Sequence, residues 1–163
     1  MDTKIKSLEH LLKALGSSGK FKIRVGILGN DATAARSKED NASSSGSEPV
    51  TNAEVGAAHE YGTSTLPERS FLRVPLTRNF NKNLRKSGAF DDDVIKDVLK
   101  EGSPLRWLEI AKTVAKDTVL EAFATGGGGE WPQSDFSKKH NEQTLVESQQ
   151  LRDSITAVVL KDG

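Results

Sequence analysis

Phe21-Lys22-Ile23-Arg24-Val25-Gly26-Ile27-Leu28 is the stretch on which the fold turns. Phe21, Ile23, Val25 and Ile27 alternate with Lys22, Arg24 and Gly26, the period of a strand with one face buried and one wet. A second strand closes the chain. Ile155, Ala157 and Val159 alternate with Thr156, Val158 and Leu160, apolar on both faces, which predicts burial on both. Between the two, Ser103-Pro104 opens the best-defined helix, with Ser103 as cap and Pro104 in the first helical position. Leu105, Leu108, Ala111, Ala115, Val119, Ala122 and Phe123 line one face of it, and Gly126-Gly127-Gly128-Gly129 stops it. Two strands far apart in sequence, pairing and packing on one long helix, make an α+β fold. Its expected form is a small antiparallel sheet against one long and several short helices.

The remaining segments fill in around that frame. Residues 4–15 place Ile5, Leu8, Leu11, Leu12 and Leu15 at helical spacing, ended by Gly16-Ser17-Ser18-Gly19. From about 29 to 50 the chain reads as a long insertion loop, Ser-rich at 37–47 and expected to be mobile. Asn52 is a candidate cap for a helix over 53–61 with Glu54 near its positive end, and Gly62 ends it. Pro75 suits the first turn of a helix reaching about Lys86, broken by Ser87-Gly88. Asp91-Asp92-Asp93 opens a helix over 94–100, where the macrodipole favours acid. Residues 130–143 read as loop and 144–152 as a short helix. Two strands alone are marginal in water, so a third is expected from 29–50, from 64–72 or from a neighbouring subunit.

Composition narrows the function classes. At 163 residues the chain is one domain by length, 1–163. Without cysteine there is neither disulfide nor thiolate zinc site. Lys plus Arg and Asp plus Glu are 23 each, so the chain lacks the basic surplus of a dedicated nucleic-acid binder. Apolar runs fall far short of the ~20 residues that span a bilayer, and the charged N-terminus leads into no signal-like stretch. A soluble chain made in the cytoplasm, with no membrane partner, is the expectation.

Chemistry-bearing motifs are sparse. His59-Glu60-Tyr61-Gly62 would need a second ligand at helical spacing to hold zinc, and His10 and His140 lie in separate segments. The plainer reading is a half-buried histidine and a tyrosine ending a helix. The four glycines follow a helix and lack the Gly-Lys-Ser/Thr ending of a phosphate loop, so they read as a linker. No serine has an evident histidine partner, and Asp91-Asp92-Asp93 is most simply a solvated helix start. Neither an enzyme nor a cofactor or metal is expected. Arg69, Arg73, Arg78, Lys82, Arg85 and Lys86 give 69–86 a basic bias. It reads as a solvated helix face or as an electropositive surface for an acidic partner or for DNA in a channel.

Two stretches together resemble a known family. One is Asn52-Ala53-Glu54-Val55-Gly56-Ala57-Ala58-His59-Glu60-Tyr61-Gly62 followed by Leu66-Pro67-Glu68-Arg69-Ser70-Phe71-Leu72-Arg73. The other is Trp131-Pro132 with Thr144-Leu145-Val146-Glu147-Ser148-Gln149-Gln150-Leu151-Arg152-Asp153-Ser154-Ile155-Thr156. Order and spacing are similar to the two signatures of tailed-bacteriophage neck, tail-completion and virion-morphogenesis proteins. Where that family carries Thr-Gly before its final Leu-Arg, this chain has Ser148-Gln149, and the Ser-rich insertion is unusual. The resemblance implies a structural virion protein that forms a ring with itself, hexameric by analogy, to end the tail tube and join it to the head. Its implied partners are the neck connector and tail-tube proteins, with DNA passing through without sequence-specific contact. Its implied place is the virion neck or tail, after the host cytoplasm.

The motif residues singled out are His59, Glu60, Tyr61, Gly62, Pro67, Arg69, Phe71, Leu72, Arg73, Trp131, Leu151, Arg152 and Ser154. Arg69, Phe71 and Arg73 would present an aromatic between two guanidiniums, residue types enriched at interface centres, unless Phe71 and Leu72 are core. The alternative function is a small soluble adaptor or regulator that binds nucleic acid weakly through 69–86.

Overall fold

The computed structural model describes residues 13, 16, 20–35, 50–132 and 149–161. The expected helix over 4–15 apart from Lys13, the loop over 36–49 and residues 133–148 lie outside the described residues. The elements are β1 (Phe21–Ile27), α1 (Asn30–Thr33), α2 (Asn52–Tyr61), α3 (Arg73–Lys86), α4 (Asp92–Glu101), α5 (Leu105–Thr125), α6 (Gln149–Asp153) and β2 (Ile155–Lys161). It is a small α+β fold.

β1 and β2 pair antiparallel, with Ile23 opposite Val159, Val25 opposite Ala157 and Ile27 opposite Ile155. Residues directly opposite share a face, so these pairs form the apolar face that meets α5. Half the expectation for β2 fails. Only Ile155 is fully buried, Thr156 to Leu160 are half-buried, and Lys161 is exposed. The reason lies in the register: Val158 and Leu160 stand opposite the exposed Arg24 and Lys22, on the face away from the core. Residues 64–72 bend and run irregularly and form no third strand, and 29–35 contributes a lone bridge, Ala35 to Thr51.

α5 is the spine. Its 21 residues bury Leu108, Ala111, Val114, Ala115, Thr118, Val119, Ala122 and Phe123. Leu105, expected on that face, is instead 47% exposed at the open end of the first turn. Pro104 stands just before the helix and the Leu105 N–H meets the Ser103 hydroxyl at 3.5 Å, too long for a strong cap. Two apolar clusters form along the helix. Ala111 and Val114 pack with Leu84 and Ala89; Val119 and Phe123 pack with Phe71, Leu151 and Ile155. Alanine at 111 and 115 lets neighbouring elements approach closely. α2 starts one residue earlier than expected because Thr51, and not Asn52, is its cap.

Candidate functional site

The residues of the two motifs meet around one end of α5, and a single buried carboxylate organises them. Glu60 is the penultimate residue of α2 and only 4% exposed. Its Oε2 accepts the N–H groups of Phe71 and Leu72, each at 2.9 Å. Its Oε1 accepts the Ser70 hydroxyl at 2.7 Å and the Arg73 N–H at 3.0 Å. The first N–H groups of a helix have no partner inside it. Here every one is accounted for. Glu60 takes the donor of Arg73, Ser70 Oγ accepts the Val74 N–H at 3.0 Å, Pro75 has none, and Leu76 N–H makes the first intrahelical bond to the Leu72 carbonyl. Burying a carboxylate costs several kcal/mol unless donors replace the lost water. Four donors do so, and the negative charge sits where the dipole of α3 favours it.

The chain between Glu60 and Ser70 is shaped to bring them together. Gly62 has φ +73°, and a Cβ there would lie 3.0 Å from Glu68 N and 3.1 Å from the Leu66 oxygen. A side chain is excluded on both counts. Thr63 closes the following turn: its N–H reaches the Leu66 carbonyl at 2.8 Å, and its Oγ1 accepts the Leu66 N–H at 3.0 Å. The Arg69 N–H then donates to the His59 carbonyl at 2.7 Å, which sets Ser70 beside Glu60. Pro67 stands exposed on this loop and His59 is half-buried.

Arg69 links the two motifs. It is 3% exposed, and its Nε donates to the Pro132 carbonyl at 3.0 Å. Trp131 stands edge-on to Phe123 at 5.9 Å, and Phe123 packs against Phe71 at 5.1 Å. The glycine run has a packing role here: a Cβ on Gly127 would overlap the Trp131 indole. Leu72 and Trp131 pack on the cluster that contains Phe71 and Leu151. Ser154 Oγ donates to the Leu151 carbonyl at 2.7 Å, closing α6 into β2. Arg152 faces solvent, its Nε donating to neighbouring Asp153 at 3.4 Å.

Phe71 is therefore core, with no exposed surface, and Arg69 is buried; the outward-facing Arg-Phe-Arg arrangement is not formed. What this region shows to solvent is Tyr61, 70% exposed, with the Arg73 guanidinium 5.7 Å above its ring. Arg73 also holds Glu68 at 2.5 Å and approaches Glu60 at 3.8 Å. The basic bias of 69–86 reduces to the cations further along α3.

Two other carboxylate sites sit at helix starts. Thr51 and Glu54 form a reciprocal capping box: the Glu54 N–H reaches Thr51 Oγ1 at 3.3 Å, and Thr51 N–H reaches Glu54 Oε2 at 2.8 Å. Those bonds from Thr51, backbone first and hydroxyl second, hold the Glu54 carboxyl below its ordinary range. Arg106 on α5 grips Asp93 at 2.7 Å and also Asp97, both on α4. Its hydrogen bond lowers the Asp93 carboxyl, and the same bond raises the guanidinium.

Among the described residues, no cluster of three or more His, Asp or Glu side chains is arranged to hold a metal. Nor is any helix among them long and apolar enough to cross a membrane. Comparison with protein-family models, with curated proteins and with solved structures returned no match.

Proposed function

We propose that this chain is a structural subunit of a tailed-phage virion, acting at the head–tail neck or tail end. It assembles with its own copies into a ring that ends the tail tube and mates it to the head, and it catalyses nothing. One observation carries the reading. The two stretches that resemble the neck and tail-completion signatures, 63 residues apart at Arg69 and Pro132, are joined by a direct hydrogen bond and share one core through Phe71, Trp131 and Leu151. Signature residues that form the framework, and not a pocket, suit a family whose shared property is a shape to be assembled. Tyr61 with Arg73 adds an exposed aromatic–guanidinium pair, the side-chain types that dominate interface energetics.

The test is genetic and structural. A phage carrying this coding sequence and deprived of it should yield separate filled heads and tails of abnormal length in electron micrographs. Supplying the protein in trans should restore joined particles. Normal infectious particles without the protein would end this reading.

A further inference from the structure

The β1–β2 sheet has two faces, and the core accounts for one of them. Val25 and Ile27 turn inward onto the cluster of Phe71, Val119 and Phe123, and Ile23 onto that of Leu84, Ala111 and Val114. Val158 and Leu160 stand on the other face, opposite Arg24 and Lys22, and join neither cluster. A two-stranded ribbon is marginal in water and is stabilised by a layer on each apolar face. The aliphatic stems of Lys22 and Arg24 widen the strip that such a layer would cover.

The chain that enters β1 carries a matching stripe in its sequence. Ile5, Leu8, Leu11, Leu12 and Leu15 recur at helical spacing directly before the strand. At the end of this stretch Lys13 and Gly16 are both helical and both exposed, and a Cβ on Gly16 would meet nothing within 4 Å. With 3.6 residues per turn, Lys13 lies roughly 140–160° from Leu8, Leu11 and Leu15. Water at Lys13 is what a helix resting on its leucines requires. Only Ser17 to Lys20 join Gly16 to Phe21. Fully stretched, that link spans at most roughly 18 Å, enough to rise the ~10 Å between packed layers and turn back. Phe21 pairs with Lys161 and Lys22 with Leu160, so the link ends beside the apolar strip. Lengths agree as well: a helix over 4–16 runs about 20 Å and a seven-residue strand about 23 Å.

We propose that residues 4–15 dock as a helix across the outer face of the sheet of their own chain, with the leucines on Val158 and Leu160. α5 holds the inner face, so the ribbon becomes the middle of three layers. The short tether favours the chain's own sheet over that of a second copy, because it holds the helix at millimolar effective concentration. The outer face is thereby closed to partners, which leaves helices and strand edges for contacts with other chains.

The experiment uses the full chain, in which the lack of native cysteine makes engineered thiols unambiguous. Leu12→Cys/Leu160→Cys is treated with a short bis-maleimide and read by mass spectrometry and denaturing gel, beside an equimolar mixture of the two single variants. The double variant should join its thiols within one chain, and the mixture should yield almost no joined pairs. A second measurement compares urea midpoints of wild type, Leu8→Ala/Leu12→Ala, Val158→Thr/Leu160→Thr and all four changes together. Each pair should lower the midpoint, and the combined shift should fall short of the sum by at least about a third, because one contact is lost once. Shifts that add overturn the proposal. So does a mixture that joins across chains as readily as the double variant joins within one, which makes the segment an arm given to a second copy. Joining of Leu12→Cys to Phe90→Cys, and not to Leu160→Cys, also overturns it and moves the leucines to the exposed ring beside the start of α4.

Discussion

Two carboxylate clusters, one at the start of α3 and one between α4 and α5, use similar groups to opposite effect. Glu60 is buried and accepts four donors, three of them backbone N–H groups that have no other acceptor. Asp93 and Asp97 face one arginine at the surface, with side chains 68% and 42% exposed. Water can replace Arg106 at once if it is removed. Nothing replaces Glu60. Burial, and not the number of hydrogen bonds, decides which carboxylate the fold depends on.

The largest test of that difference is Glu60→Ala. It strands the N–H groups of Phe71, Leu72 and Arg73 next to the Phe71–Phe123 core, and should cost about 3 kcal/mol or more. Urea unfolding should show a lower midpoint with an unchanged slope. Glu60→Gln keeps the shape and one acceptor but turns an NH₂ toward donors, so it should recover little, at a cost of roughly 2 kcal/mol. A loss below about 1 kcal/mol for the alanine variant would mean that water reaches the turn and the latch is not closed.

A mid-sized effect comes from the other end of α2. Thr51→Ala removes one half of the capping box and should cost about 1 kcal/mol. Thr51 and Glu60 stand nine residues apart, about 13 Å along the helix, so the double variant should equal the sum of the singles within about 0.5 kcal/mol. A larger departure would mean that α2 transmits strain from its cap to the turn at 70–73.

The cap of α2 and the latch of α3 also differ in how far the sequence reveals them. Thr51 and Glu54 are three residues apart, a local pattern, although Asn52 next door is an equally good cap by type and drew the expectation to itself. Glu60 serves donors ten to thirteen residues away, a distance at which no helical or strand period operates. Its role follows from Gly62 and Thr63 folding the chain back, a tertiary fact. The same holds for Phe71. Its neighbours Arg69 and Arg73 give the stretch the look of an interface, whereas Phe123, 52 residues on, makes it core. The helices over 73–86 and 105–125 and both strands were legible because periodicity and the punctuation of Pro75, Ser87-Gly88, Pro104 and Gly126 are local. The apolar residues of β2 point to burial on both faces because Val158 and Leu160 do not disclose that Arg24 and Lys22 stand across from them. The capacity of Arg69 to reach Pro132 leaves no sequence signal beyond the presence of both residues in the resembling motifs.

The smallest effect belongs to the exposed cluster. Arg106→Ala should lower Tm only slightly at neutral pH and low salt, less than either change at α2. Raising salt to 1 M should close much of the gap to wild type, since the Debye length shrinks to about 3 Å. Acid should do the same in a defined direction. Arg106 lowers the Asp93 carboxyl in the folded chain, so the pair's contribution is complete above the unfolded aspartate value of about 3.9 and fades as pH falls through the lower folded value. Wild type and Arg106→Ala should therefore differ in Tm at pH 7 and converge as acid protonates Asp93 in the folded chain. If the difference persists at low pH and in 1 M salt, the guanidinium stabilises this corner through the packing of its stem, and charge is not what joins α4 to α5.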